Sequence, residues 1–199
     1  MKLGVILLAA GASSRMGRPK LLLPWHDTTV IGHLISQWRE LGAAQIAVVL
    51  RPVDAALAAE LDRLQFSPSD RIVNPQPEHG MFSSIVCAAH WTGWRRDLSG
   101  WAIVLGDQPH LRTEALRILL QCFARNADAI CEPAFGGHTR HPVILPHAAV
   151  DALKTTRAAT LKDFLKQISG RRVQPVINDP GLTLDLDTPE DYIQARASI

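Results

Sequence analysis

A glycine-rich segment carrying two basic side chains follows the first apolar run of the chain. It spans residues 11–20 and reads Gly-Ala-Ser-Ser-Arg-Met-Gly-Arg-Pro-Lys. Small residues let backbone N–H groups approach an anion, and Arg15 and Lys20 add positive charge for a polyphosphate. The order of residues matches neither the Walker loop nor the Gly-x-Gly-x-x-Gly fingerprint. The segment therefore predicts a polyphosphate-binding loop, and the alternative is a solvated turn between a strand and a helix.

Two acidic segments farther along the chain could hold a cation. Asp107 stands in Gly-Asp-Gln-Pro directly after the apolar run 101–105, and Asp185 and Asp187 stand in Asp-Leu-Asp-Thr-Pro-Glu-Asp. Alternation along an extended segment would place Asp185 and Asp187 on one face. Mg²⁺ prefers oxygen ligands and is usually held by one or two carboxylates together with substrate phosphates. We predict a magnesium site at Asp107 and Asp187, with Asp185 in place of Asp187 as the other possibility; alternatively, Asp107 serves only a turn or a helix N-terminus.

The elements that must position these residues follow an α/β pattern. Short apolar runs alternate with longer amphipathic segments, which predicts a mainly parallel sheet covered by helices on both faces. The clearest strands are residues 3–9, 45–50, 71–73 and 101–105, with shorter candidates at 127–131, 142–145 and 173–176. A helix capped by Thr or Asp within residues 27–29 follows the glycine-rich segment. Because ligands bind at the carboxyl ends of parallel strands, we expect the loop and Asp107 to share one crevice.

Length and composition narrow the class of protein. The 199 residues suit one domain over residues 1–199. A formal charge of +2 without a basic run argues against nucleic acid as a partner. The first apolar stretch is too short to span a bilayer, so no membrane partner is expected. Three cysteines, odd in number and well separated in the sequence, favour a reducing cytoplasm.

The glycine-rich segment and its neighbours resemble a known family. Ala-Ala-Gly-x-x-x-Arg-Met-Gly-x-x-Lys-Leu-Leu-Leu-Pro, from residue 9 to residue 24, is similar to the signature loop of the MobA-like NTP transferases that activate molybdenum cofactor, especially the cytidylyltransferases. The resemblance implies a three-layer α/β/α, Rossmann-like fold and makes Arg15 and Lys20 catalytic. Alanine at Ala10 implies cytidine rather than guanosine. The implied nucleotide-binding residues are Leu8, Ala9, Ala10, Gly11, Ala12, Ser13, Ser14, Arg15, Lys20, Gly80, Ser84 and Asp107.

The same resemblance extends to three later segments. It implies that Gly80 and Ser84 lie near the nucleobase, although Ser83 or Ser84 could instead simply cap a helix. It places metal ligands at Asp107 and Asp187, and it assigns His141 to the acceptor side. The segment 154–161 departs from the family pattern, because it lacks the expected glycines and acid.

The activity implied is transfer of CMP from CTP to a molybdopterin-type molybdenum cofactor, with Mg²⁺ as cofactor and pyrophosphate as leaving group. A molybdoenzyme or its maturation factor would be a further partner. The departure at residues 154–161 keeps a sugar phosphate or another small phosphate open as the acceptor. A non-catalytic protein that only binds and delivers the cofactor is the alternative outside the enzymes.

Overall fold

A seven-stranded mixed sheet forms the centre of this computed structural model, which describes residues 1–197. The strands are, in chain order, β1 (Leu3–Leu8), β2 (Pro24–Trp25), β3 (Thr28–Thr29), β4 (Gln45–Leu50), β5 (Arg71–Val73), β6 (Gly100–Leu105), β7 (Ile130–Cys131), β8 (Ala134–Phe135), β9 (His138–Thr139), β10 (Val143–Pro146) and β11 (Arg172–Val173). The main sheet has the order β11-β7-β10-β6-β1-β4-β5, and β2-β3 and β8-β9 are small antiparallel pairs. Only β10 runs antiparallel to its neighbours in the main sheet. The prediction of a mainly parallel, mixed sheet is confirmed.

Helices cover both faces of this sheet. They are α1 (Val30–Glu40), α2 (Ala55–Arg63), α3 (Met81–His90), α4 (Thr113–Arg125), α5 (His147–Leu153), α6 (Leu161–Gln167) and α7 (Pro189–Ala197). The apolar sides of α1, α2, α4 and α7 belong to one core, and those of α3, α5 and α6 belong to the other. The predicted three-layer arrangement is therefore confirmed. Among residues 1–197, no helix is long and apolar enough to cross a membrane.

Strand β1 lies at the middle of the molecule because its sequence is apolar on both faces. It pairs in parallel with β4 on one side and with β6 on the other. Val5 and Leu7 point into one core and Ile6 into the other, as the two-residue period of a strand requires. All three side chains are fully buried. The loop that leaves Leu8 therefore starts from a rigid point in the sheet.

The first crossover helix begins where the sequence predicts. The Thr29 side chain accepts a hydrogen bond from the Gly32 N–H at 3.2 Å, which is an N-cap. Val30, Leu34 and Trp38 form the buried side of α1. Gly42 follows the helix with φ of 82°, a conformation that favours glycine.

The C-terminal third differs most from the sequence-based expectation. The strand candidates at residues 127–131 and 173–176 shorten to two residues each, and Val176 makes only a single bridge to Ala134. Helix α5 was not predicted, because it has only seven residues and follows Pro146 directly. The segment that precedes Asp185 is a 3₁₀ turn over Pro180–Thr183 rather than an extended chain. Short elements of this kind depend on tertiary contacts more than on their own sequence pattern.

His33 on α1 gives the fold an expected pH dependence. Burial is the main cause that lowers the pKa of His33 below 6.5, and the neighbouring His26 lowers it further. A hydrogen bond to the Pro109 carbonyl raises the pKa and so opposes both effects. The folded state thus favours neutral His33, so its stabilising contribution is complete above pH 6.5 and decreases as the pH falls through the lower folded pKa. When the pH is lowered from about 7.5 to about 5.5, we expect the Tm of His33→Gln to decrease less than the Tm of the wild type. Equal losses of Tm in calorimetry would contradict this expectation.

Candidate functional site

The glycine-rich loop folds back over the carboxyl end of β1. The buried Met16 side chain anchors it to the core, and the Lys20 N–H donates a hydrogen bond to Ser13 Oγ at 3.3 Å. Ser13 and Gly17 both have positive φ, at 52° and 69°. No atom lies within 4 Å of the position that a Cβ on Gly11 would take. The backbone at Gly11 therefore borders open space, as the approach of a ligand requires.

The ends of three distant segments meet at Lys20. Its Nζ lies 2.7 Å from Asp107 Oδ2 and 3.5 Å from Asp187 Oδ1. Arg15 lies beside them, with a guanidinium nitrogen 2.8 Å from Asp187 Oδ2. The Lys20 side chain is only 14% exposed, whereas that of Arg15 is 71% exposed. Two cations and two carboxylates thus neutralise one another at one edge of the sheet.

The two aspartates of the C-terminal acidic segment flank the buried Leu186 and have different partners. Asp187 faces Lys20 and Arg15, whereas Asp185 Oδ1 accepts a hydrogen bond from Gln108 Nε2 at 2.9 Å. The Asp187 N–H donates to the Asp185 carbonyl at 2.9 Å, which makes a tight turn.

Asp107 keeps one oxygen free for a further partner. Its Oδ2 contacts Lys20, but its Oδ1 is buried and has no hydrogen-bond partner within residues 1–197. A buried carboxylate oxygen without a partner is costly, and a bound cation would satisfy it. No group of three or more His, Cys, Asp or Glu residues in the described part of the chain is arranged to hold a metal ion. Asp107 and Asp187 would therefore need ligand oxygens to complete a coordination shell.

A cavity of about 490 Å³ lies between the loop and the start of α3. Ten of the predicted nucleotide-binding residues line it, namely Leu8, Ala9, Ala10, Gly11, Ala12, Ser13, Lys20, Gly80, Ser84 and Asp107. Ser14 instead lines a neighbouring cavity on the other side of the loop. Arg15 and His141 line neither of these two cavities. The structure thus brings most of the predicted site together around one space.

The start of α3 borders this cavity through Gly80. Gly80 occupies the N-cap position with φ of 86° and ψ of 179°, a backbone conformation that is essentially restricted to glycine. Neither Ser83 nor Ser84 caps the helix. Asn74 Nδ2 donates to Ser83 Oγ at 2.8 Å and to Ser84 Oγ at 3.0 Å. Asn74 thereby connects the preceding loop to the helix.

His141 lies behind Asp107. Its Nδ1 is buried without a hydrogen-bond partner in residues 1–197. Burial lowers the pKa of His141, whereas a hydrogen bond to the Ile103 backbone and the Asp107 carboxylate act in the opposite direction. His141 is therefore close to the acidic cluster but separate from the main cavity.

Two charged residues that line the cavity were not predicted from the sequence. Arg51 follows β4 directly and is half-buried, and its side chain has no ion pair or hydrogen bond to the rest of the described chain. Arg51 stands after an apolar strand, as Asp107 does, so the same rule predicts that Arg51 lies at this edge of the sheet. Glu78 also lines the cavity, from a 3₁₀ turn over Pro77–His79, and no sequence signal marked it.

Comparison with known proteins identifies the family of this chain. A family model described as a MobA-like NTP transferase domain matches residues 5–173. The chain belongs to this family. It is 26% identical over 194 residues to the molybdenum cofactor cytidylyltransferase of Escherichia coli (strain K12), covering 96% of this chain and 94% of that protein. It is also 26% identical over 204 residues to the probable molybdenum cofactor guanylyltransferase of Bacillus mycoides (strain KBAB4), covering 98% and 96%.

A solved structure of a similar protein matches the whole chain. Rv0371C of Mycobacterium tuberculosis H37Rv, in complex with manganese, superposes with a TM-score of 0.71 at 25% sequence identity and full coverage of both chains. The chain is accordingly a nucleotidyltransferase of the MobA-like family, related to both cytidylyl- and guanylyltransferases of molybdenum cofactor.

Proposed function

We propose that this nucleotidyltransferase transfers CMP from CTP to a molybdopterin-type molybdenum cofactor and releases pyrophosphate. The observation that carries the proposal is the position of Lys20, which contacts Asp107 and Asp187 at the edge of the loop-lined cavity. A basic side chain and two carboxylates beside an anion-binding loop are the groups that nucleotidyl transfer requires. We assign the activity to one domain over residues 1–199 in the cytoplasm, and the three free thiols support that compartment.

The donor nucleotide is proposed to occupy the cavity between the loop and α3. Backbone N–H groups of residues 11–14 would bind the phosphates, together with Arg15 and Lys20. Gly80 and Ser84 line the other side of the cavity, where the base is proposed to lie. Ala10 supports cytosine as this base. Both cytidylyl- and guanylyltransferases are among the relatives, so GTP is the competitor to test.

Asp107 and Asp187 are the residues proposed to hold Mg²⁺. The unpartnered Oδ1 of Asp107 supports this assignment, as does the manganese bound by the similar Mycobacterium tuberculosis protein. When bound with the nucleotide, such an ion neutralises phosphate charge as the new bond forms. Asp185, the other metal candidate, points to Gln108 and is the weaker choice.

Lys20 has a proposed role that follows from its surroundings. In the free protein its ammonium group is balanced by Asp107 and Asp187. A triphosphate in the cavity would attract it toward the α-phosphate, where negative charge increases during transfer. An acceptor phosphate oxygen attacks the α-phosphorus, a new P–O bond forms, and the bond to the bridging oxygen of pyrophosphate breaks. Positioning and charge stabilisation by the protein therefore provide the catalysis, without a covalent enzyme intermediate.

The acceptor is proposed to bind on the side of the site where His141 lies. His141 is the proposed acceptor-side residue, and it lies near Asp107. The segment 154–161 begins at Lys154, the residue that follows α5 as its C-cap. It also contains Thr160, which caps α6 by accepting a hydrogen bond from the Asp163 N–H. These local structural roles explain residues at its ends, but they leave a sugar phosphate open as the acceptor.

Pyrophosphate release tests the proposed function directly. Purified protein with Mg²⁺ should release pyrophosphate from CTP when molybdenum cofactor is supplied, and faster than from GTP, ATP or UTP. Faster release with sugar phosphates than with the cofactor would identify the alternative acceptor. Tight binding of the cofactor without any pyrophosphate release would instead favour the non-catalytic delivery protein.

Arg51 is expected to contribute to nucleotide affinity. A half-buried guanidinium without a protein partner gains a charge-assisted hydrogen bond when an anionic or carbonyl-bearing ligand enters the cavity. Such a bond contributes about 1.5–3 kcal/mol, so Arg51→Met should raise the Kd for CTP by about tenfold or more in titration calorimetry. Arg117→Met, on the exposed side of α4, is the matched control. Equal affinities of both variants would contradict the contribution of Arg51.

A further inference from the structure

Gln108 is the member of the Gly-Asp-Gln-Pro segment to which the proposed reaction gives no role. It directly follows Asp107, and only 4% of its surface is exposed. Its Nε2 donates to Asp185 Oδ1 at 2.9 Å, across 77 residues of sequence. Most side-chain hydrogen bonds go to backbone or water. A hydrogen bond from a buried amide to a carboxylate far away in the sequence is therefore uncommon, and this one lies next to a candidate metal ligand.

This hydrogen bond is one of two links between the acidic segments. The other is formed by the Leu186 N–H, which donates to the Asp107 carbonyl at 3.0 Å. Asp185 and Asp187 are joined by their own tight turn, in which the Asp187 N–H donates to the Asp185 carbonyl. The direction of Asp187 therefore depends on where Asp185 is held. The two links hold this segment against the end of β6, with Asp187 opposite Lys20 and Arg15.

The hydrogen bond from Gln108 to Asp185 also has an electrostatic effect. Asp185 is close enough to Asp107 and Asp187 for repulsion among the three carboxylates. Only Leu186 separates Asp185 from Asp187 in the chain, and the Leu186 N–H ties this segment to the Asp107 carbonyl, so the three carboxylates belong to one small region. An amide donor stabilises a carboxylate without adding charge. Without it, Asp185 would have reason to turn toward Lys20 and compete with Asp187.

We propose that Gln108 is a positioning residue for the cation site: by holding Asp185 aside through the 2.9 Å hydrogen bond, it directs Asp187 toward the cation and Lys20. The inference rests on the proposed function, since it assumes that Asp107 and Asp187 bind the divalent ion. Gln108 touches neither nucleotide nor acceptor in this assignment. Its effect passes entirely through Asp185 and the turn to Asp187.

Manganese affinity in the presence of CTP is the measurement that tests this role. Free Mn²⁺ is quantified by electron paramagnetic resonance in titrations of the CTP-bound protein. We expect Gln108→Met to weaken Mn²⁺ binding by about tenfold or more, as losses of ligand-orienting groups do. CTP affinity without metal should stay within about twofold, because the nucleotide cavity keeps its lining residues. Unchanged Mn²⁺ affinity in Gln108→Met would overturn the positioning role.

A matched control separates positioning from general destabilisation. Gln37 is also buried, donates its Nε2 to a carbonyl, that of Leu111, at 2.8 Å, and has an unpartnered Oε1. Gln37→Met should lower Tm by an amount similar to Gln108→Met but leave Mn²⁺ affinity in the CTP complex unchanged. If Mn²⁺ binding weakens equally in both variants, general destabilisation explains the effect of Gln108→Met, and the proposal is overturned.

Variants of Asp185 test the route without disturbing the packing of Gln108. Asp185→Ala should weaken Mn²⁺ binding as Gln108→Met does, and the double variant should be no weaker than either single variant, since both remove one interaction. Asp185→Asn keeps an acceptor for Gln108 and should retain most of the affinity. If Asp185→Asn loses as much as Asp185→Ala, the charge of Asp185 itself binds the ion and the proposal fails. Absence of CTP binding in the wild type would overturn the proposed function, a result distinct from all of these.

Discussion

Lys20→Met is expected to reduce the rate of pyrophosphate release from CTP by about 10³-fold at saturating substrate. This magnitude is typical when a preorganised group that stabilises transition-state charge is removed from a water-poor site. Lys20 has the required position, because its Nζ lies 2.7 Å from Asp107 and its side chain is 14% exposed. Methionine preserves the length and apolar stem of the side chain but removes the charge. The measurement is single-turnover pyrophosphate release with Mg²⁺ and the acceptor.

A second property of the same variant should change in the opposite direction. Lys20 is the counter-ion between Asp107 and Asp187 in the free protein, so its removal leaves two neighbouring carboxylates less compensated. Mn²⁺ should therefore bind the nucleotide-free Lys20→Met variant more tightly than it binds the wild type. Lys2→Met, which removes a surface ion pair with Asp97, should change neither property. Turnover of Lys20→Met close to that of the wild type would refute the catalytic assignment.

Asp107→Asn is expected to have an effect of similar size for a different reason. The amide keeps the size of the side chain at the end of β6 but loses the charge that a divalent cation requires. A metal ion supplies several kcal/mol of charge stabilisation, so its loss should lower the turnover rate by about 10³-fold. Pyrophosphate release measured over a range of Mg²⁺ concentrations should show partial recovery at high Mg²⁺, as expected when metal affinity is the property that is impaired.

Two observations would separate this explanation from misfolding. Binding of CTP in the absence of metal should persist in Asp107→Asn, because Gly11, Gly80 and Ser84 still line the cavity. Asp97→Asn provides a control at a surface ion pair, and it should retain full turnover. A variant that turns over normally at low Mg²⁺ would show that Asp107 has no part in cation binding.

Much of the fold and site could be predicted because the relevant signals are local. The run at β1 is apolar on both faces, so it is a central strand whatever surrounds it. Thr29 and Gly42 mark the ends of α1 by their own hydrogen-bonding and backbone properties. Residues that follow such strands directly, such as Asp107, must lie at one edge of a parallel sheet. Arg51 follows the same rule after β4 and could have been included.

The segment around Asp185 shows what local reasoning leaves out. Its alternating acidic residues predict two carboxylates on one face, but they do not predict which residues those carboxylates contact. In the structure the preceding residues form a 3₁₀ turn, and Asp185 is hydrogen-bonded to Gln108, 77 residues earlier in the chain. A pattern of two acids separated by one residue is too short to specify a strand, so long-range hydrogen bonds decide its geometry.

The amino-acid sequence by itself determined the class of the fold, the loop after β1 and the presence of basic and acidic groups at the ends of strands. The signals for these features are the hydrophobic period, the glycine positions and the charged residues, and each can be identified within a few neighbouring residues. Only the tertiary structure decided that Lys20 contacts both Asp107 and Asp187, that Asp185 is held aside by Gln108, and that Arg51 borders the same cavity. Those relations join residues that are far apart in the chain. They exist because the sheet order places β1 between β4 and β6, and no local pattern contains that order.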